Sequence, residues 1–171
     1  MKKYHSAFFL ILLFVFLLFL ALNNLVSFHV LTIQDFSNAD LIFLEIFTPG
    51  EGFLLKYTHS VARTPVWEFF TLSEDGKLIL TETHFQDHGA GLPYTTFDKE
   101  TFIIEEGKFK IKNMSREIWL PLYVRIGENR ENYFIHEGRS IDLSNRLGDA
   151  VISINIIRMN LFHFILNKFI I

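Results

Sequence analysis

Residues 67–85, WEFFTLSEDGKLILTETHF, decide the fold because they have the pattern of a single β-hairpin. Asp75 and Gly76 lie near the centre, and an Asp-Gly pair favours a two-residue type I′ turn, in which both residues have positive φ. The flanks are rich in Phe, Thr, Leu and Ile, which favour strands. This loop places Trp67 opposite His84 and Glu68 opposite Thr83.

Two unusual segments, 57–68 (YTHSVARTPVWE) and 82–93 (ETHFQDHGAGLP), lie at the open end of this hairpin. Pairing of the two strands brings these segments together, with Arg63 near His88 if the pairing continues that far. Most of the chain's ionisable side chains that are capable of chemistry then lie at one end of one hairpin. We therefore predict a binding site built from His59, Ser60, Arg63, Glu68, His84, Gly89 and Gly91.

The strings His-Ser-Val, Thr-Pro-Val-Trp-Glu-Phe and Gly-Ala-Gly-Leu-Pro resemble the bacterial family called domain of unknown function 1850. The resemblance covers residues 46–143, and Asp87 and His88 depart from the family pattern. It implies a small domain behind a secretion signal or anchor, often encoded beside tripartite ATP-independent transporters of carboxylates, and it implies no established activity. The residues that match the pattern are His59, Ser60, Pro65, Glu68, Gly89, Gly91 and Pro93.

Composition limits the class of protein. A chain of 171 residues that is 50% hydrophobic and 16% aromatic is sized for one domain with an ample core. The net charge of −3 gives no basic footprint, so we exclude nucleic acid as a partner. The chain has no cysteine, which excludes disulfides, a thiol nucleophile and cysteine-ligated metals.

The N-terminus predicts export. Lys2 and Lys3 precede an apolar run of 16 residues that begins at Ala7 and ends at Leu22. No Ala-x-Ala site follows, so we favour an uncleaved transmembrane helix over a cleaved signal peptide, within residues 1–28. Residues 29–171 then form an extracytoplasmic domain on a single-pass membrane protein, or a secreted domain if the signal is cleaved.

After this helix the chain reads as all-β. We predict strands at 41–48, 53–58, 67–73, 77–85, 101–105, 108–112, 118–126, 132–136 and 150–157, with residues 28–38 as a connecting stretch. Short strands with hairpin turns indicate a small antiparallel sandwich or barrel. The apolar tail, 159–171, either closes the core as a last strand and short helix or touches a membrane as an amphipathic segment.

Several chemistries are compatible with the site residues. Ser60 could act as a nucleophile, although His59 points to the other face of a strand, so a base such as His84 or His88 would be needed. A metal could be bound by His59, Glu68, His84, Asp87 and His88. Gly89 and Gly91 could instead form a concavity of backbone N–H groups for an anion, complemented by Arg63. Glu68 is expected to fix His59, Arg63 or backbone N–H groups.

We interpret the chain first as a membrane-anchored accessory domain that binds a small carboxylate or a transporter component, with no catalytic residue, metal or cofactor. The transporter partner is what the family resemblance implies. One alternative is a metal-dependent or Ser/His hydrolase of the cell envelope. A purely structural module of a membrane complex is the other.

Overall fold

The computed structural model describes residues 2–86, 97 and 99–169. Within these residues the secondary-structure elements follow one another in this order: α1 Lys2–Leu25, β1 Ser27–Asp35, β2 Leu41–Ile46, β3 Gly52–Thr58, β4 Pro65–Leu72, β5 Leu78–Phe85, β6 Thr101–Glu105, β7 Lys108–Lys112, β8 Arg116–Ile118, β9 Leu122–Ile126, β10 Asn132–His136, β11 Arg139–Asp142, α2 Leu143–Leu147, β12 Ala150–Asn160 and α3 Leu161–Lys168.

The strands form two antiparallel sheets. The smaller sheet has the strand order β2-β1-β12-β9, and the larger has the order β11-β10-β3-β4-β5-β7-β6, with β8 paired to β5 outside this path. The all-β prediction is therefore confirmed. Of the two predicted architectures, the structure has the sandwich, because one hydrophobic core joins residues of both sheets.

Aromatic side chains fill the space between the sheets. Phe43 of β2 and Phe134 of β10 come from different sheets, and their ring centroids are 4.9 Å apart. Phe53 of β3 packs on Phe134 at 5.3 Å and on Phe70 of β4 at 4.9 Å. Alternation along the strands places these residues inside, since successive side chains point to opposite faces. Offset and tilted ring pairs of this kind add to the stabilisation from burial alone.

The predicted connecting stretch at residues 28–38 is wrong, because most of it is strand β1. This strand pairs with β12 on one side and β2 on the other, and Val30, Leu31, Thr32 and Ile33 are all buried. A run buried on both faces lacks the alternation of polar and apolar residues by which a strand is recognised.

The register of the β4–β5 hairpin is confirmed at its open end, where Trp67 pairs with His84 and Glu68 with Thr83. A bulge between Phe69 and Phe70 shifts the register by one residue on the side of the turn. Thr81 is the extra residue, and its hydroxyl donates to the Phe69 carbonyl at 3.1 Å.

The predicted type I′ turn is wrong. Of the Asp-Gly pair only Gly76 has a positive φ, of 80°. The Gly76 N–H donates to the Ser73 carbonyl and the Ser73 N–H to the Lys77 carbonyl, which is a type I turn followed by a left-handed Gly. The Ser73 hydroxyl selects this longer loop, because it donates to Asp75 at 2.6 Å and accepts from the Lys77 N–H at 2.9 Å.

The predicted strand at 118–126 is divided into two. Residues up to Ile118 belong to β8 of the larger sheet, and residues from Leu122 belong to β9 of the smaller sheet. The chain crosses between the sheets through Trp119, Leu120 and Pro121, where a strand is interrupted because proline lacks the N–H that a ladder needs.

The N-terminal residues form the expected helix, α1. Among the described residues, no helix is both long and apolar enough to cross a membrane, so the predicted transmembrane helix is not confirmed.

The C-terminal tail continues β12 to Asn160 and then forms α3, as the first interpretation of the tail predicts. The same interpretation predicts that the helix closes the core, and one residue of α3 does so. Phe164 is buried and packs edge-on against Phe28 at 5.5 Å. Five other apolar residues of the tail are exposed: Leu161, Phe162, Ile165, Leu166 and Phe169.

The turn chemistry predicts the effect of a substitution. We expect Gly76→Val to lower the free energy of unfolding by about 1 kcal/mol or more, because a β-branched residue is strained at positive φ. A Cβ at this position would also lie 2.9 Å from Nε2 of His29, so that ring must move. Urea denaturation measures the loss.

The control is Glu74→Val, which places the same side chain at an exposed residue of the same turn, outside the positive-φ set. We expect its midpoint to stay close to that of the wild type. Equal losses in the two variants would contradict the turn as described.

Candidate functional site

A cleft of about 730 Å³ opens where the two sheets separate at one edge of the sandwich. One wall comes from β3, β4 and the turn between them, and the other from β9 and the loop that follows it. Four predicted site residues line this cleft: His59, Ser60, Arg63 and Glu68. Its apolar lining is made by Leu55, Leu122, Tyr123 and Val124.

The turn after β3 is organised by the imidazole of His59. Its Nδ1 accepts hydrogen bonds from the N–H groups of Ala62 at 3.1 Å and Val61 at 3.3 Å. Two donors on Nδ1 assign the proton of the neutral ring to Nε2, which leaves an N–H donor on the other side of the ring. His59 therefore shapes the turn and carries one donor that the turn does not use.

Arg63 sits at the end of this turn in a left-handed conformation, with φ 58°. Its N–H donates to the His59 carbonyl at 3.1 Å, and the His59 N–H donates to the Thr64 carbonyl at 2.9 Å. A non-glycine residue at positive φ costs free energy and is held by the hydrogen bonds around it. This conformation places the Arg63 side chain at the cleft.

Glu68 lies at the inner end of the cleft and is hydrogen-bonded to Tyr57. The two residues are diagonal neighbours on adjacent strands, since Tyr57 pairs with Val66 and Leu55 with Glu68. Burial raises the pKa of the Glu68 carboxyl, and the hydrogen bond from Tyr57 acts against that rise. Burial and the adjacent Glu68 also raise the pKa of the Tyr57 hydroxyl, so it stays protonated as the donor.

The prediction that Glu68 fixes His59, Arg63 or backbone groups is therefore replaced by the Tyr57–Glu68 pair. Tyr57 lies in the 57–68 segment but is not among the predicted site residues.

The opposite wall adds two arginines, Arg125 and Arg130, to Arg63. Among the described residues, none of these three guanidinium groups forms an ion pair with a carboxylate. Two carboxyl groups also line the rim: Glu128 and Asp149, whose Oδ1 accepts from the Glu128 N–H at 3.1 Å. Apart from Glu68, whose carboxyl pKa is raised by burial, the lining holds three arginines and two carboxyl groups.

Arg130 is set by the turn that precedes it. Its N–H donates to the Gly127 carbonyl at 3.2 Å. A Cβ at Gly127 would lie 3.1 Å from Cδ of Arg130, so the arginine stem folds back over the glycine. Neither Arg125 nor Arg130 belongs to the motifs from which the site is predicted. The Gly-Glu-Asn turn signal between them was visible in the sequence, but which sheet edge this turn meets is set by long-range packing.

Of the remaining predicted site residues, His84 is not brought into the cleft. His84 pairs with Trp67, so it lies on the outer face of the larger sheet, while Glu68 lies on the inner face. There His84 is 2.5 Å from Glu82 and packs against the Phe69 ring at 4.9 Å. Gly89 and Gly91, together with Asp87 and His88, lie outside the described residues.

The five residues considered as metal ligands are accordingly not assembled by the part of the chain that is described, since His84 and Glu68 occupy opposite faces. One group of described residues, Glu45, His136 and Glu137, holds potential ligand atoms within 4.8 Å of one another. Glu45 already accepts two hydrogen bonds from the guanidinium of Arg139, and Nδ1 of His136 is 2.9 Å from the Gly52 carbonyl. Arg139 also lowers the pKa of Glu45, which identifies an ion pair between the two sheets.

The fold and the cleft define an all-β, two-sheet domain with an arginine-lined opening at one edge. The chain belongs to the family described as Domain of unknown function (DUF1850), whose model matches residues 53–143, about half of the chain. No curated protein and no solved structure matches the chain. The matched residues contain most of the cleft, from Leu55 in β3 to Asn132 in β10.

The raised pKa of Glu68 predicts a pH dependence of stability. The folded state binds the carboxyl proton more tightly than the unfolded chain, so this contribution to stability is present at low pH and is lost as pH rises through the folded pKa. Glu68→Gln cannot titrate. We expect the free energy of unfolding of Glu68→Gln, relative to wild type, to increase between about pH 4 and pH 8.

Urea denaturation at several pH values measures this difference. Glu74→Gln removes an exposed carboxyl of the β4–β5 turn and is the matched control. A relative stability of Glu68→Gln that stays flat or falls with rising pH would show that Glu68 is ionised in the folded protein at no cost.

Proposed function

We propose that this domain binds a small carboxylate in the arginine-lined cleft and performs no chemistry on it. The single observation that supports this most is the set of three guanidinium groups, Arg63, Arg125 and Arg130, which no described carboxylate neutralises. Arginine presents a planar fork of donors that matches a carboxylate in a bidentate way. Guanidinium groups that line a concave surface, and that pair with none of the described carboxylates, are suited to an anionic ligand.

The other groups of the cleft have complementary roles in this proposal. The Nε2–H of His59 supplies a neutral donor, because Nδ1 is occupied by the turn. The Tyr57–Glu68 pair at the inner end adds no full negative charge while Glu68 is protonated. Leu55, Leu122 and Val124 provide an apolar surface for the carbon skeleton of the ligand. The volume of about 730 Å³ is in the range of small-molecule sites.

We also propose that the domain works outside the cytoplasm, attached to a membrane through α1. The support is the positive N-terminus followed by the apolar run from Ala7 to Leu22, whose described side chains between Phe8 and Phe19 are all exposed. A link to a carboxylate transporter rests on the family resemblance alone, and a carboxylate site would fit that partner. The hydrolase and structural-module interpretations stay alternatives, and no contact among the described residues of the cleft favours either.

Binding of succinate, used as a probe carboxylate, tests the proposal by isothermal titration calorimetry on the full chain in detergent. Removal of one charge-assisted interaction costs about 1.5–3 kcal/mol, so we expect Arg63→Gln and Arg130→Gln each to raise the Kd by about tenfold or more. Their denaturation midpoints should remain close to the wild-type value, since neither side chain belongs to the core.

The matched control is Arg146→Gln, the same charge change on α2 outside the cleft. Its Kd should equal that of the wild type. The proposal fails if Arg63→Gln binds succinate as tightly as the wild type does. It also fails if Arg146→Gln weakens binding as much, since bulk charge would then explain the effect.

A further inference from the structure

Helix α3 is apolar on the side that faces away from the domain, where a soluble domain normally presents polar side chains. It buries Phe164 against the smaller sheet, where this ring joins Val30, Leu44 and Phe28. The side of a surface helix that faces away from the core is expected to be polar. In α3 and the residue after it, Leu161, Ile165, Leu166 and Phe169 are exposed instead, Phe169 by 85% of its surface.

The positions of these residues form a continuous stripe. At about 100° per residue, Leu161, Ile165, Phe169 and Leu166 lie between about 60° and 200° from Phe164 around the helix axis. His163 and Asn167 lie on the other side, at about 100° and 60° in the opposite direction. The apolar side is thus wider than contact with the sheet requires, and its outer part is uncovered.

The apolar stripe lies beside the root of α1. Ser27, the first residue of β1, pairs with Asn160, which is the N-cap of α3, and α1 ends two residues earlier at Leu25. Both helices therefore leave the smaller sheet at the same point. The described side chains of α1 from Phe8 to Phe19 are also apolar and exposed. Two uncovered apolar segments consequently meet at one end of the molecule.

The last strand and α3 carry cations but no carboxylate. The sequence from Ala150 to Ile171 has no Asp or Glu, and its cations, Arg158 and Lys168, are exposed. Glu45 is near enough for Lys168 to lower its pKa, but Arg139 already neutralises this carboxylate. Apolar side chains flanked by cations, on a segment without a carboxylate of its own, complement the surface of a bilayer that contains anionic lipids.

We propose that α3 lies in the interfacial region of a lipid bilayer, with Ile165, Leu166 and Phe169 among the acyl chains and Lys168 at the headgroups. Together α1 and α3 fix how the domain stands on the membrane. The cleft residues of β9 pair with the beginning of β12, whereas α3 follows its end. At about 3.3 Å per residue, roughly 25 Å of strand separates the cleft from α3, so the cleft faces away from the lipid.

The absence of cysteine from the chain allows a direct test. Ile165→Cys and His163→Cys are matched sites on opposite sides of α3, and Glu128→Cys at the rim of the cleft is a reference in water. Each full-chain variant is labelled with a polarity-sensitive fluorophore and reconstituted into vesicles of phosphatidylcholine and phosphatidylglycerol. Flotation reports attachment to the vesicles, and iodide quenching reports the exposure of the label.

We expect all three variants to float with the vesicles. The label at residue 165 should shift its emission to the blue and be quenched several-fold less than the labels at 163 and 128. Equal quenching at residues 165 and 128 would overturn the proposal, as would failure to float. Protection at 165 that disappears when the protein is diluted in lipid would overturn it in favour of a second copy of the chain.

The proposal stands apart from the function proposed for the cleft. Succinate affinity measured on the same vesicles tests the cleft, and loss of that binding leaves the quenching result unchanged.

Discussion

The packing of two sheets on one aromatic core is the constraint on which the rest of the structure depends. Phe43 and Phe134 meet across the interface, and burial of such rings contributes about 1.5–3 kcal/mol each. The core holds the strands of both sheets at a fixed separation. At one edge, side chains line the space between β3 and β9 but do not fill it. The cleft is a consequence of where this core ends.

The position of Glu68 follows from the same constraint. It lies on the inner face of β4, at the margin of the core, where water is partly excluded and the charged form of a carboxyl is disfavoured. Tyr57 supplies a hydrogen bond that meets part of this cost. An anion that entered the cleft would encounter the three arginines, and protonation of Glu68 would remove the one carboxyl group at the inner end that could repel it.

Much of the hairpin could be predicted from the sequence because its determinants are local. The pairing of Trp67 with His84 follows from the turn and the strand flanks, although Ser73 converts the turn to the longer type and a bulge at Thr81 restores the register. Because successive side chains of a strand point to opposite faces, the same pairing places His84 and Glu68 on opposite faces of the sheet. Strand β1 escaped prediction because it lacks polar alternation: Leu31 and Ile33 belong to the core between the sheets, and Val30 on the other face packs with Phe164 of α3.

The arginines of the opposite wall could not be predicted, since no local signal ties residues 125–130 to the motif at His59. They meet through the pairing of β9 with β12 and through the Thr58 N–H, which donates to the Glu131 carbonyl. The motif thus contributes the turn and one arginine. The fold contributes the other two, and the charge balance of the site exists only when both are in place.

The most direct measurement of the central claim is a titration of the full chain with succinate, followed by NMR of the arginine Nε–Hε groups. We expect the signals of Arg63, Arg125 and Arg130 to shift together with one Kd. Arg116 and Arg139, which already pair with Glu100 and Glu45, should not move. Shifts confined to Arg116 and Arg139, or no saturable shift at the three cleft arginines, would contradict that claim.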